Sequence, residues 1–194
     1  VKQRLLALER GCVCPPELPV CCCGRVPVLR RVTRRAVRPG PEEVRRNAAR
    51  GFTSVTFSEN PYKLGLPSIH QRHWDPFLRA CEETGTVICL HIGSSSTTVI
   101  TAMDAPIDTM ITLQPMNIVQ AAADLLWSKP IKKYPGLKIA LSEGGTGWIP
   151  YFLDRVDRTF QMHKAWTFQD FGGRLPSEVF REHFLTCFIS DPIG

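Results

Sequence analysis

No apolar run in this chain is long enough to cross a bilayer. There is no G-x-G-x-x-G and no Walker sequence, so the common nucleotide-binding fingerprints are missing. The cysteines never form paired C-x-x-C units, which makes a zinc ribbon a poor fit. No charged n-region, apolar h-region and small-residue cleavage site follow one another near residue 1, so no signal peptide is expected. Cys81, Cys89 and Cys187 sit singly among apolar neighbours and read as small buried hydrophobes. A reducing cytoplasm is therefore the expected compartment, without a disulfide framework. Histidine is scarce as well, at five in 194 residues, so each one is worth weighing.

Charge divides the chain. Residues 1–40 hold nine Lys or Arg against two Asp or Glu, a net of +7, while residues 41–194 are close to neutral at −1. The first forty residues also hold five cysteines between Cys12 and Cys23, and five prolines. They show no sustained period of 3.6 or 2.0, and C-x-C followed by C-C-C cannot converge on one metal. Residues 1–40 are expected to be irregular or disordered. Enrichment in Arg, Pro, Gly and Cys also suits an out-of-frame reading of a GC-rich gene, joined to the rest near Pro41. A basic arm that grips nucleic acid is the other reading. No aromatic residue is interleaved for base stacking, so nucleic acid is not the expected partner.

From Pro41 the texture becomes strand and helix in alternation. P-E-E-V-R-R-N-A-A-R-G has Pro and two Glu at its start, Arg near its end and Gly after it, the charge order that suits a helix dipole. F-T-S-V-T-F then predicts a strand over 52–57. Trp74, Phe77, Leu78 and Cys81 fall on one helical face. T-V-I-C-L-H predicts a strand over 86–91. A Ser- and Thr-rich loop runs to Met116, and Asn117 is placed to cap the helix after it. K-I-A-L-S predicts a strand over 138–142. Ile149, Phe152, Leu153, Val156 and Phe160 make another helical stripe. Ser177 is placed to cap a short helix, and a last strand is expected over 185–190. This alternation implies an α/β fold: a parallel sheet with helices outside it.

In barrels of parallel strands, polar residues at the C-terminal strand ends carry the chemistry. His91 ends one apolar run beside Gly93-Ser94-Ser95-Ser96; it is a candidate metal ligand, or a core histidine bonded to backbone. Glu143 ends another and is followed by two glycines; it could ligate a metal, act as a base, or pair in a salt bridge. G-G-T-G before a helix could hold phosphate on its N–H groups. His70 and His73, three apart on the loop after the first strand, could face a catalytic site or lie on the surface. Asp191 has the right location for a catalytic residue, although Asp-Pro is also an ordinary turn. His163 and His183 fall on helices and read as structural or exposed.

Taken together, G-F-T-S-V-T-F-S-E-N-P, G-L-P-S-I-H-Q-R-H-W-D-P-F, C-L-H-I-G-S-S-S and S-E-G-G-T-G-W-I-P-Y-F-L-D-R-V-D-R resemble the amidohydrolase-related family. The resemblance covers about residues 41–194. It implies a distorted TIM barrel with one divalent metal, usually zinc, and a small-molecule substrate. It also implies C–N bond hydrolysis or non-oxidative decarboxylation. On this likeness His91 matches the metal ligand of the family's strand five, and Glu143 stands where strand six often carries His. No H-x-H of the strand-one type occurs in the sequence. The expectation is a partial barrel, about strands four to seven, in which residues 41–194 form the domain. A truncated, inactive fragment is the alternative to an enzyme, and open strand edges make a homo-oligomer possible to envisage.

Overall fold

The computed structural model describes residues 40–193. Expectations for residues 1–39, including the arm and the frame shift, lie outside the described residues. Four strands, β1 (Ser54–Phe57), β2 (Val87–His91), β3 (Ile139–Ser142) and β4 (Phe184–Thr186), form one sheet in the order β1-β2-β3-β4. Every neighbouring pair is parallel. Seven helices accompany them among the described residues: α1 (Gly40–Ala48), α2 (Asp75–Thr84), α3 (Ile107–Leu113), α4 (Met116–Leu126), α5 (Lys129–Lys133), α6 (Ile149–Thr167) and α7 (Pro176–His183). This is the expected α/β layout of consecutive parallel strands joined by helical crossovers.

The sheet's two faces differ because successive side chains alternate. Val55, Phe57, Ile88, Leu90, Ile139, Leu141 and Phe184 all belong to the core shared with the helices. The alternate positions include Ser54, Thr56, Cys89, Ala140 and Ser142, of which Thr56, Cys89 and Ala140 stand in register across three strands. Aromatic rings fasten helices to the core face. Phe57 stacks on Phe77 at 5.0 Å and meets Trp74 edge-on at 4.9 Å. Phe152 and Phe184 both pack on Phe180. Leu90, Ile139 and Leu141 are almost fully enclosed, so truncating any of them to Ala would cost about 2–5 kcal/mol.

Local signals explain most boundaries. α2 stops at Gly85, whose φ of 65° is left-handed and lets its N–H reach the Cys81 and Glu82 carbonyls. Arg45 of α1 pairs with Glu83 of α2 at 2.7 Å. Cys81, Cys89 and Cys187 are all buried, and burial pushes the Cys81 thiol up to about 12. Among the described residues no helix is long and apolar enough to cross a membrane.

Three expectations need correction. The last strand ends at Thr186 rather than 190. Cys187 N–H still reaches the Leu141 carbonyl at 3.3 Å, but β3 ends at Ser142 and Glu143 turns away, so the ladder has no further partner. The polar loop after β2 contains α3, whose apolar residues are not buried. Neither Asn117 nor Ser177 caps its helix: Pro115 and Leu175 precede α4 and α7 instead. The Asn117 side chain turns back to donate to the Thr97 carbonyl at 2.8 Å, and the Leu175 N–H is met by Glu178 Oε2 at 2.7 Å.

Candidate functional site

β2 and β3 run side by side, with His91 opposite Ser142 at their C-terminal ends. The residue after Ser142, Glu143, takes a left-handed φ of 62°. For a residue with a Cβ this conformation costs on the order of 1 kcal/mol and is often found where function demands it. Glycine follows because space is short: a Cβ on Gly144 would lie 2.0 Å from Ile118 Cγ2 of α4. The turn brings the Glu143 carboxylate to the imidazole, with Nε2 and Oε2 3.0 Å apart. His91 Nδ1 lies 2.8 Å from the Ile92 carbonyl. A carbonyl can only accept, so Nδ1 carries a proton and Nε2 is the atom that faces Glu143.

That geometry has an electrostatic requirement. A neutral ring with its proton on Nδ1 would present a lone pair to a carboxylate oxygen. Two acceptors at 3.0 Å need a positive centre between them. Here it is a proton on Nε2, which makes the ring a cation. Partial burial works against that charge, but the Ile92 carbonyl, the Glu143 carboxylate and, by its field, Glu59 outweigh it and raise the His91 pKa.

Sequence reading passed over Glu59, which enters it only inside G-F-T-S-V-T-F-S-E-N-P. The signal was available: a carboxylate just past an apolar strand, at the same rim as His91. Glu59 is 5% exposed. Its Oε1 accepts from Ser95 Oγ at 2.7 Å, Gly93 N–H at 3.1 Å and Ser95 N–H at 3.3 Å. Ser94 Oγ accepts from the Glu59 N–H at 2.8 Å. The turn that follows His91 is thus laced to the turn that follows β1. Among the described residues, Glu59 Oε2 is buried without a hydrogen-bond partner.

Asp191 lies beside the same rim. Its Oδ2 accepts from Thr146 N–H at 2.6 Å and Gly147 N–H at 2.7 Å, so the chain's own carboxylate takes the G-G-T-G donors that could have held phosphate. The structure brings His91, Glu143 and Asp191 to one end of the sheet. His70 and His73 are engaged elsewhere: His70 Nε2 sits 2.7 Å from Asp124 of α4, and the His73 ring lies edge-on to Trp74 at 4.8 Å. His183 is buried and bonded to the Leu137 carbonyl, and His163 lies on α6 beside Trp166.

The family model described as Amidohydrolase matches residues 22–184. The chain belongs to the amidohydrolase family. Two solved structures share the fold. An amidohydrolase from Mycobacterium avium subsp. paratuberculosis superposes with a TM-score of 0.62 at 18% identity, covering 83% of this chain and 41% of that one. A 5-carboxyvanillate decarboxylase from Sphingomonas paucimobilis gives 0.56 at 19% identity, covering 75% and 43%. The four strands are therefore part of a TIM-barrel architecture.

The curated relatives are of another kind. The ribosomal RNA small subunit methyltransferase H of Desulforapulum autotrophicum is 55% identical over 47 residues, 24% of this chain and 15% of that protein. The methyltransferase of the same name from Dehalococcoides mccartyi is 30% identical over 87 residues, 45% of this chain and 25% of that protein. The chain spans only these small shares of the curated relatives. A stretch of 47 residues is longer than either flank of the amidohydrolase match, so the two likenesses share residues.

Amidohydrolases are generally metal-dependent. His91 and Glu143 fit a metal in kind. With Nδ1 bonded to a carbonyl, Nε2 is the nitrogen that could ligate once it gives up its proton, and the Nδ1 hydrogen bond is what commonly orients a ligating His. Imidazole nitrogen with carboxylate oxygen is a donor set that zinc accepts. In number they are too few: no group of three or more His, Cys, Asp or Glu that could hold a metal occurs among the described residues.

Proposed function

We propose that this chain is part of a metal-dependent enzyme that hydrolyses a C–N bond or decarboxylates a small carboxylic acid, with zinc as the metal. The observation that carries this is the pairing of His91 Nε2 with Glu143 Oε2 at 3.0 Å where β2 and β3 end, a nitrogen and a carboxylate oxygen that zinc accepts as donors once the Nε2 proton has left. A catalytic zinc normally takes three protein ligands and leaves a fourth position open. The remaining ligands would come from strands other than the four described here. The solved neighbours are more than twice as long as the part of them this chain covers.

When bound, the metal would polarise a substrate oxygen or lower the pKa of a water. The chain's residues would do the rest. His91 gives up its Nε2 proton when the ligand nitrogen is needed, so metal uptake releases a proton. The Ile92 carbonyl keeps the proton on Nδ1 and fixes the ring. Glu143 neutralises charge on the same side. Asp191 holds the turn at Thr146 and Gly147 and thereby the start of α6.

Elemental analysis and calorimetry with zinc chloride test the reading. Binding that is weak in this chain, lost in His91→Ala, and accompanied by proton release near neutral pH is the expected result. Binding that His91→Ala leaves unchanged would remove the basis for it.

A second reading concerns residues 1–40. Their net charge of +7 favours contact with RNA. Salt-dependent retention of a ribosomal RNA fragment on a filter, lost when the arginines between Arg25 and Arg38 are replaced by Ala, is the expected outcome. A flat salt response would count against it.

A further inference from the structure

We propose that residues 98–115 form a strap over the His91–Glu143 rim, whose apolar hollow holds the ring of a substrate while the rim takes its polar head. This names a substrate class: a small molecule with one apolar ring and a hydrogen-bond-donating head. It rests on the reading above for the rim being the site.

The strap's roots lie on both sides of that rim. One root leaves β2 at His91 and passes through Gly93 and Ser96, both left-handed, with φ of 79° and 55°. Such a φ is costly for a serine and is often kept where function demands it. The other root enters α4, whose Ile118 leaves no room for a Cβ on Gly144, the residue after Glu143. The Asn117 side chain joins the two roots by donating to the Thr97 carbonyl at 2.8 Å. The ends of the segment are thus held close, as in compact loops that fold on themselves.

Between the roots the chain is apolar and uncovered. No residue from Ser96 to Met116 is buried, although Ile100, Met103, Ile107 and Ile111 are among them. Met103 is 92% exposed. Among the described residues, α3 packs substantially on no other helix or strand. Contiguous exposed apolar surface marks a place where something binds.

Size and polarity say what. The strap curls around a hollow of about 140 Å³ lined by Ile100, Met103, Ile107 and Met110. An apolar cavity of roughly 150 Å³ takes up benzene, so one six-membered ring fits. At the base, Gln114 Oε1 and Asn117 Oδ1 are buried without a hydrogen-bond partner among the described residues. Asn117 cannot reverse its amide, because Nδ2 serves the Thr97 carbonyl. Its orphan atom is therefore an acceptor, and the head that meets it donates. An aryl amide has the ring, the N–H donor and a C–N bond, which suits hydrolysis better than decarboxylation.

The test follows deuterium uptake over residues 98–113 of the full chain with zinc chloride present. Benzohydroxamate and acetohydroxamate share a donating, zinc-binding head and differ only in the ring. At equal concentration the first should slow uptake at least about fivefold and the second less than about twofold. Ile100→Ser combined with Ile107→Ser should remove the slowing and leave the melting temperature unchanged, since both side chains are exposed. His91→Ala should remove it as well. Equal effects of the two probes would overturn the inference. So would slowing that survives in His91→Ala, because the ring would then bind away from the rim. A double-serine chain that melts several degrees lower would make the strap a packed part of the fold and overturn it too. Calorimetry with zinc chloride alone separates the two readings. Zinc binding without ring-dependent slowing overturns the strap and leaves the metal reading intact. Ring-dependent slowing without zinc binding supports the strap and removes the metal. A chain that shows neither overturns both.

Discussion

His91 and His183 stand at opposite ends of the same sheet, and the fold treats them in opposite ways. His183 precedes β4, is 1% exposed, and bonds through Nδ1 to the carbonyl of Leu137, just before β3. Burial holds its pKa down, so the native state wants it neutral. His91 ends β2, is half exposed, and faces a carboxylate that helps raise its pKa. One ring completes the packing of the end where strands begin. The other faces a carboxylate where strands end. That division between a stabilising face and a reactive face is the ordinary arrangement of parallel barrels.

The sharpest way to break this comparison is truncation. His183→Ala should cost about 2–4 kcal/mol in urea unfolding, because it opens a cavity and strips the Leu137 carbonyl of its donor. His91→Ala should cost under about 1 kcal/mol, as partly exposed pairs generally do. Equal losses would erase the distinction. Next in size, Gly144→Ala should cost about 1–3 kcal/mol by overpacking against Ile118. In an Ile118→Ala background that cost should fall by more than half, which a double-mutant cycle would read directly.

A smaller effect of opposite sign is expected next door. Glu143→Gly relieves the left-handed backbone and should leave the chain as stable or more stable by up to about 1 kcal/mol, while abolishing zinc binding. Lower stability in this variant would mean that the His91 pair outweighs the strain. The smallest effect is in pH. His183 contributes stability that is present above its unfolded pKa of about 6.5 and is lost as pH falls through its depressed native value. His91 contributes the reverse: full below about 6.5, lost as pH rises through its raised native value. Urea midpoints followed from pH 5 to 8 should therefore flatten on the alkaline side in His91→Ala. In His183→Ala they should flatten on the acid side.

Much of this was legible in the chain. Short runs rich in apolar residues and bounded by Gly, Pro and Asn marked the four strands. His91 and Glu143 were legible because a polar residue ending such a run has one place to go. Glu59 was overlooked because its role depends on a contact 34–36 residues away in sequence, with Gly93 and Ser95. The cap positions failed for a related reason. Asn117 found a tertiary partner, Thr97, that no local pattern discloses. His70 paired with Asp124 across 54 residues, which the spacing of His70 and His73 alone did not reveal. The end of β4 depended on where its neighbour stopped.

Cys81 gives unfolding a permanent record. Its thiol is buried in the core and ionises only near about 12, so an alkylating reagent at neutral pH finds almost no thiolate in the native chain. Each opening of α2 exposes it for a moment and lets its acidity return towards normal. A chain held in iodoacetamide would therefore accumulate label on the Cys81 peptide at a rate set by how often that helix leaves the core. Mass spectrometry would then read a conformational fluctuation as a covalent clock.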